Sequence, residues 1–174
     1  IELDGFSRDG YGLLSPTIFQ HDGKTLMLGV VPDKLGMNET YKLGYSHAFS
    51  LPREISLSAN GTLLQKPFSG LVGMRSSTAV TRDAFTLNGE EDLSPVEGRA
   101  LELRAEFTVG KNDVGFTVLG DADRKVRITY SPSANTVSLD MTALNRIVQD
   151  GPFGGIYTSQ LPKKLLEGQT AKLT

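Results

Sequence analysis

His21 and His47 are the only two histidines, so proton transfer or metal ligation by imidazole must involve one or both. They fall in different predicted elements, and a triad or metal set would have to draw its other members from unconnected places. His21 lies in the turn His21-Asp22-Gly23-Lys24 and reads as a solvated turn residue, while His47 reads as a structural strand residue. Asp4, Asp9, Asp121 and Asp123 are too sparse for calcium, which wants six to eight oxygens. A paired-carboxylate site is conceivable, because 20 Asp and Glu are present, yet nearly all fall in turns or at outward strand positions. Zero cysteines exclude disulfides, thiol nucleophiles and Cys-ligated zinc. The glycines lie outside the strand, Gly-rich loop and helix context of a phosphate cradle. The acceptor patterns Asn38-Glu39-Thr40 and Asn60-Gly61-Thr62 are short enough to arise by chance. No catalytic, cofactor-binding or metal residue is assigned.

The elements that would position any site are read from alternation. Leu101, Leu103, Ala105, Phe107 and Val109 alternate with Glu102, Arg104, Glu106 and Thr108, so one face enters a core and the other meets water. The same parity recurs in Val114, Phe116 and Val118, in Val126, Ile128 and Tyr130, and in Val137, Leu139 and Met141. Turn residues link these strands at 110–113, 120–123 and 131–135. Four short half-buried strands with such connections predict an antiparallel sandwich or barrel. Upstream, 14–20 and 25–31 are continuous apolar runs and predict a hairpin buried on both faces. A polar connection from Asp33 to Gly44 follows, then strands at 45–51, 55–57 and 62–66. Ser94 to Glu97 and Thr142 to Val148 hint at helical turns but read as loops.

The composition agrees with this all-β reading. In 174 residues, 19 glycines and 8 prolines punctuate many short elements. A formal charge of −2 excludes a generic polyanion binder, so no nucleic-acid partner is expected. Nothing is apolar and long enough to cross a bilayer, no membrane partner is expected, and Ile1-Glu2-Leu3-Asp4 is no signal peptide. The change from two-faced burial to alternation places a domain boundary between about residues 50 and 75.

Two ordered stretches narrow the reading. Asp22-Gly23-Lys24-Thr25-Leu26-Met27-Leu28-Gly29, then Gly44 through Leu57 with Leu51-Pro52-Arg53-Glu54 at its centre, resemble the end of the catalytic domain in glycoside hydrolase family thirty-two. Asn60-Gly61-Thr62-Leu63-Leu64-Gln65-Lys66-Pro67 and Leu71 to Arg75 resemble signatures that follow in that family of invertases, levanases, inulinases and sucrose-6-phosphate hydrolases. The resemblance implies the last strands of a five-bladed propeller over 1–55 and a C-terminal antiparallel β-sandwich over 56–174. It implies a parent that cleaves fructans, sucrose or sucrose phosphate with retention, without a cofactor. Arg53 and Glu54 become a charged pair suited to an interdomain junction.

The same resemblance implies an absence. The family's Trp-Met-Asn-Asp-Pro-Asn-Gly and Glu-Cys motifs need Trp and Cys, of which this chain has none. Arg8-Asp9 and Arg82-Asp83 are followed by Gly10 and Ala84 rather than the proline of Arg-Asp-Pro. Val30 stands where the family has Trp and offers no flat ring to a sugar; Tyr45, at a second frequent Trp position, does, and is the candidate sugar contact. Relatives continue past the position of Leu173, so the expected partners are the rest of the propeller or a second chain supplying further strands. The expected role is structural within a larger glycosidase, with an extracellular, periplasmic or cytoplasmic setting left open. The competing reading is a non-catalytic carbohydrate-binding sandwich, similar in architecture to lectins, presenting Phe85, Phe153 and Tyr157. A third reading is a hydrolase whose propeller has lost activity.

Overall fold

A computed structural model describes residues 13–31, 37–76, 80–93, 96, 98, 100–118, 124–144, 146–148, 151–153 and 155–173. Strands dominate. The first group comprises β1 (Leu14–His21), β2 (Lys24–Val31), helix α1 (Met37–Leu43), β3 (Ala48–Phe49), β4 (Arg53–Leu57) and β5 (Leu63–Pro67), followed by a 3₁₀ turn over Ser69–Met74. The second comprises β6 (Ala105–Thr108), β7 (Val114–Val118), β8 (Val126–Ser131), β9 (Thr136–Asp140), a 3₁₀ turn over Thr142–Leu144, β10 (Arg146–Val148), β11 (Gly151–Phe153), β12 (Ile156–Gln160) and β13 (Thr170–Leu173). Among the described residues no helix is long and apolar enough to cross a membrane.

The first group forms one antiparallel sheet in the order β1-β2-β4-β5, with β3 added to the end of β2. Asp22 and Gly23 have φ of 49° and 71°, the paired positive values of a tight hairpin turn whose twist matches its strands. Burial follows topology here rather than composition. β2 lies between β1 and β4 and buries Leu26 and Met27, whereas every residue of β1 is exposed. The hairpin expected to be buried on both faces is therefore half exposed, because β1 is an edge strand. Its edge is also irregular: Ser15 has φ 47°, Pro16 donates no backbone hydrogen bond, and the register shifts between Leu14 and Thr17.

The polar connection read over 33–44 contains α1. Its stop signal is legible: Gly44 takes φ 75° and its N–H reaches Thr40 and Tyr41 carbonyls at 3.0 and 3.2 Å. Likewise the stretch read as a loop at 142–148 holds a 3₁₀ turn and β10, while Ser94, Pro95 and Glu97 lie outside the described residues. The turn at 142 forms because Asp140 Oδ1 accepts from Thr142 N–H at 2.9 Å and Oγ1 at 2.6 Å, contacts that lower the Asp140 pKa.

In the second group β12-β9-β8-β7 form a four-stranded antiparallel sheet and β13-β6 a two-stranded ribbon. Registers align Val114 with Tyr130 and Tyr130 with Val137, then Phe116 with Ile128 and Ile128 with Leu139, so the inward parity read from sequence is one continuous apolar face. Phe107 of β6 meets Tyr130 of β8 with ring centroids 6.2 Å apart, which lays the ribbon on that face. Val109, Tyr130 and Ala171 form the buried centre, with Phe107, Val114, Val137, Leu161 and Leu165 packed around it. The predicted strand at 101–109 is shorter than its alternation: among the described residues, 101–104 find no ladder partner, since β13 pairs only with 105–108. Lys172 opposite Glu106 closes the ribbon with a 2.8 Å ion pair that raises the lysine pKa.

Candidate functional site

Strand alternation turns Arg53 and Glu54 to opposite faces of the first sheet. Both come from β4, which pairs with β2 on one side and β5 on the other. The two side chains therefore make separate contacts. Arg53 Nη1 donates to Gln65 Oε1 at 3.1 Å, and partial burial lowers its pKa.

Glu54 is the more elaborate. Only 9% exposed, it departs from the outward, solvated placement read for nearly all carboxylates. Its Oε1 accepts from Lys24 Nζ at 2.9 Å and from Ser69 N–H at 3.0 Å, and Oε2 lies 3.0 Å from Lys66 Nζ. Lys24 also donates to the Ser69 hydroxyl and sits 5.5 Å from the centroid of the Phe68 ring, whose other neighbour is the edge of His21 at 6.1 Å. Lys24, then Ser69 and Lys66, hold the Glu54 carboxyl far below the usual carboxylate range, against a smaller opposing effect of burial. Lys24, Lys66 and the Ser69 amide hold the carboxyl in its ionised form, so it has no proton to give. Its chemistry is that of an anchor. His21, its side chain 55% exposed beside the hairpin turn, sits at the solvated rim of this cluster.

The anchor acts on the chain leaving the sheet. Phe68, which precedes the 3₁₀ turn, supplies no side-chain cap, and Glu54 takes that part by receiving the Ser69 N–H. The other end of the same turn is held by a second carboxylate. Arg75 Nε and Nη2 donate to Glu102 Oε2 and Oε1 at 2.5 and 2.7 Å, and Arg104 Nε donates to Glu102 Oε1 at 2.6 Å. These bonds lower the Glu102 pKa and raise that of Arg75. Nothing in sequence periodicity announces this contact, because its partners are separated by 27 positions and flank an irregular stretch.

Tyr45 lies apart from these anchors, between α1 and β3, and is 64% exposed. Tyr41, Phe49 and Leu51 in the same part of the chain are also exposed. His47, beside them, has φ 63° and lies outside any strand. Val30 is half-buried and pairs with both Leu14 and Phe49. Of the three aromatics that would serve a lectin-like face, Phe85 is exposed, Tyr157 is half-buried opposite Leu139, and the Phe153 side chain lies outside the described residues, as do Asp4, Asp9, Asp121 and Asp123. Among the described residues no three His, Cys, Asp or Glu come together as metal ligands.

Among solved structures, a family 32 β-fructofuranosidase of Bombyx mori is similar to this chain at 15% identity and a TM-score of 0.48, with 87% of this chain covered. The chain spans 29% of that protein's length. The sequence family described as glycosyl hydrolases family 32 C terminal matches residues 71–173, more than half of the 174 residues and the whole of the second group of strands. The chain thus belongs to glycosyl hydrolases family 32 and carries the C-terminal portion of that family's fold.

Proposed function

We propose that this chain is the structural C-terminal part of a retaining β-fructofuranosidase-type glycosidase acting on fructans, sucrose or sucrose phosphate. One observation carries the reading. Registers place Ile18, Met27, Ile55, Leu57 and Leu63 on the same face of the first sheet, yet Ile18, Leu57 and Leu63 are 60, 70 and 52% exposed. Apolar surface of this kind on a four-strand antiparallel meander marks a sheet built to be covered, as blades of a propeller cover one another. The cover is the remainder of the parent propeller.

In this reading the division expected between about residues 50 and 75 falls after Pro67. β4 crosses position 55 and its pairing carries the sheet through β5, while the family match begins at 71. Glu54 then serves as the junction residue, gripping the first amide of the connecting turn, and Arg53 braces β4 to β5. Tyr45 offers an exposed ring to an outer sugar unit. Catalytic carboxylates come from the upstream part of the parent.

The test is expression of this chain alone and joined to the upstream coding region of its gene, with fructose release measured from sucrose, levan and inulin. Activity is expected only from the longer protein. Turnover by the isolated chain at ordinary enzymatic rates, about 1–1000 per second, overturns the proposal. So does full activity and stability of the upstream part by itself.

A further inference from the structure

The chain contains two Asn-Gly pairs, Asn60-Gly61 and Asn88-Gly89, and the fold treats them oppositely. Glycine after asparagine lets the next backbone nitrogen approach the side-chain amide without a Cβ in the way. Around Asn60 the turn between β4 and β5 prevents that approach. Asn60 Oδ1 accepts from Thr62 Oγ1 at 3.0 Å, from Thr62 N–H at 3.4 Å and from the Ser58 hydroxyl, while the Gly61 N–H is committed to the Ser58 carbonyl at 2.9 Å. The amide is fixed and its attacker is occupied. Asn88 and Gly89 lie in the irregular, exposed stretch 80–93; Gly89 has φ 85°, and among the described residues no hydrogen bond holds the Asn88 side chain or the Gly89 N–H.

We propose that Asn88 is a site of spontaneous deamidation, to which Asn60 is made resistant by its turn. The Gly89 nitrogen, deprotonated by hydroxide, attacks Asn88 Cγ; the new C–N bond closes a five-membered succinimide, the C–NH₂ bond breaks, and the amine leaves as ammonia with a proton from water. Water then opens the ring at either carbonyl, leaving an aspartyl or isoaspartyl residue at position 88. The sum is amide plus water giving acid plus ammonia, with no change of oxidation state. The product lowers the formal charge of −2 by one, beside Glu90, Glu91 and Asp92. The isoaspartyl form also lengthens the backbone by one methylene, in the stretch that joins the first sheet to the second group of strands.

The full chain is incubated in mildly alkaline buffer at physiological temperature, then digested with trypsin and mapped by mass spectrometry. Peptide 83–99 reports Asn88 and peptide 54–75 reports Asn60. Each hydrogen bond that must open before attack slows the step severalfold, so Asn88 is expected to gain about 1 Da at least roughly tenfold faster than Asn60. In concentrated urea the two rates should converge, because the pairs share the same chemistry. Removing the turn bonds by Ser58→Ala with Thr62→Val should raise the rate at Asn60 in the folded chain and leave Asn88 unchanged. Equal rates in the folded wild type, or an Asn60 rate indifferent to the double substitution, overturn the proposal.

Discussion

Glu54 accepts the backbone N–H of Ser69 at 3.0 Å, and with that bond a residue in the middle of the first sheet fixes the start of the turn by which the chain leaves it. The same carboxylate is flanked by Lys24 and Lys66 from the neighbouring strands, so three strands and the exit turn converge on two oxygens. Removing a donor and removing the acceptor are unequal changes, because only the second leaves the buried position without its purpose.

Acidification tests this arrangement. The Glu54 carboxyl is held far below its unfolded value, so the unfolded chain takes up the proton first as pH falls. The stability it contributes is complete above about pH 5, and it declines as pH drops through the ordinary carboxyl value of 4.5 towards the folded one. Urea denaturation of wild type should therefore weaken on going from neutral to acid pH, and Glu54→Gln should start weaker and flatten that slope. Lys66→Met should have a small effect, since its side chain is 71% exposed; Lys24→Met should have a larger one because Phe68 and Ser69 lose a contact too. Parallel pH curves for wild type and Glu54→Gln would refute the role.

Of the second group, β6 to β9 were plain in the sequence because their side chains alternate, whereas β10 to β13 were not read there and β10 fell in a stretch read as a loop. What alternation cannot report is which strand stands at an edge. β1 and β2 have similar apolar runs, but only β2 has neighbours on both sides, so only β2 is buried. Leu101 to Arg104 alternate as well as Ala105 to Thr108 do, and lack only a partner. The sequence named Arg53 and Glu54 as candidates, but their contacts could not be read from it. Ser69 and Lys66 reach Glu54 through topology, and the Arg75–Glu102 contact spans an irregular stretch that has no period to read.

Arg75 and Glu102 close the base of that stretch with two parallel bonds, a geometry that lysine cannot reproduce. Arg75→Lys and Glu102→Gln should both speed proteolytic cleavage within 80–93 and raise amide exchange at 69–76, while leaving exchange in β8 and β9 unchanged. Identical digestion time courses for wild type and both variants would exclude a closing role.

Tyr130 separates packing from hydrogen bonding in the core. Tyr130 is 3% exposed and packs against Phe107, and among the described residues its buried hydroxyl has no hydrogen-bond partner. Tyr130→Phe discards only the unsatisfied oxygen and should leave stability unchanged or raise it. Tyr130→Ala opens a cavity and should cost about 3–5 kcal/mol by chemical denaturation. A loss in the phenylalanine variant comparable to that in alanine would mean that the hydroxyl is bonded.

Gly110 opens a turn and Gly115 lies inside β7, and a Cβ on Gly115 would collide with the Ile128 carbonyl oxygen of the paired strand, whereas one on Gly110 would meet nothing within 4 Å. Gly115→Ala should force β7 away from β8 and cost roughly 1–3 kcal/mol, as overpacking does. Gly110→Ala should stay within about 0.5 kcal/mol of wild type. Equal thermal midpoints for the two variants would show that the strands separate at no cost.

The exposed face of the first sheet makes the last prediction, and it bears on the proposed function directly. Ile18 and Leu57 stand on that face without packing partners that bury them, so replacing either with lysine removes little folding energy from the isolated chain. Ile18→Lys and Leu57→Lys should therefore keep the thermal midpoint and reduce self-association measured by light scattering. On the proposed function, the same substitutions in the longer protein would bury a charge against a neighbouring blade and should lower the midpoint sharply, together with activity. Tyr45→Ala serves as the contrast: it should raise KM for the longer saccharides with the midpoint unmoved. If Ile18→Lys and Leu57→Lys are as harmless in the parent as in the isolated chain, that face is not where the propeller closes.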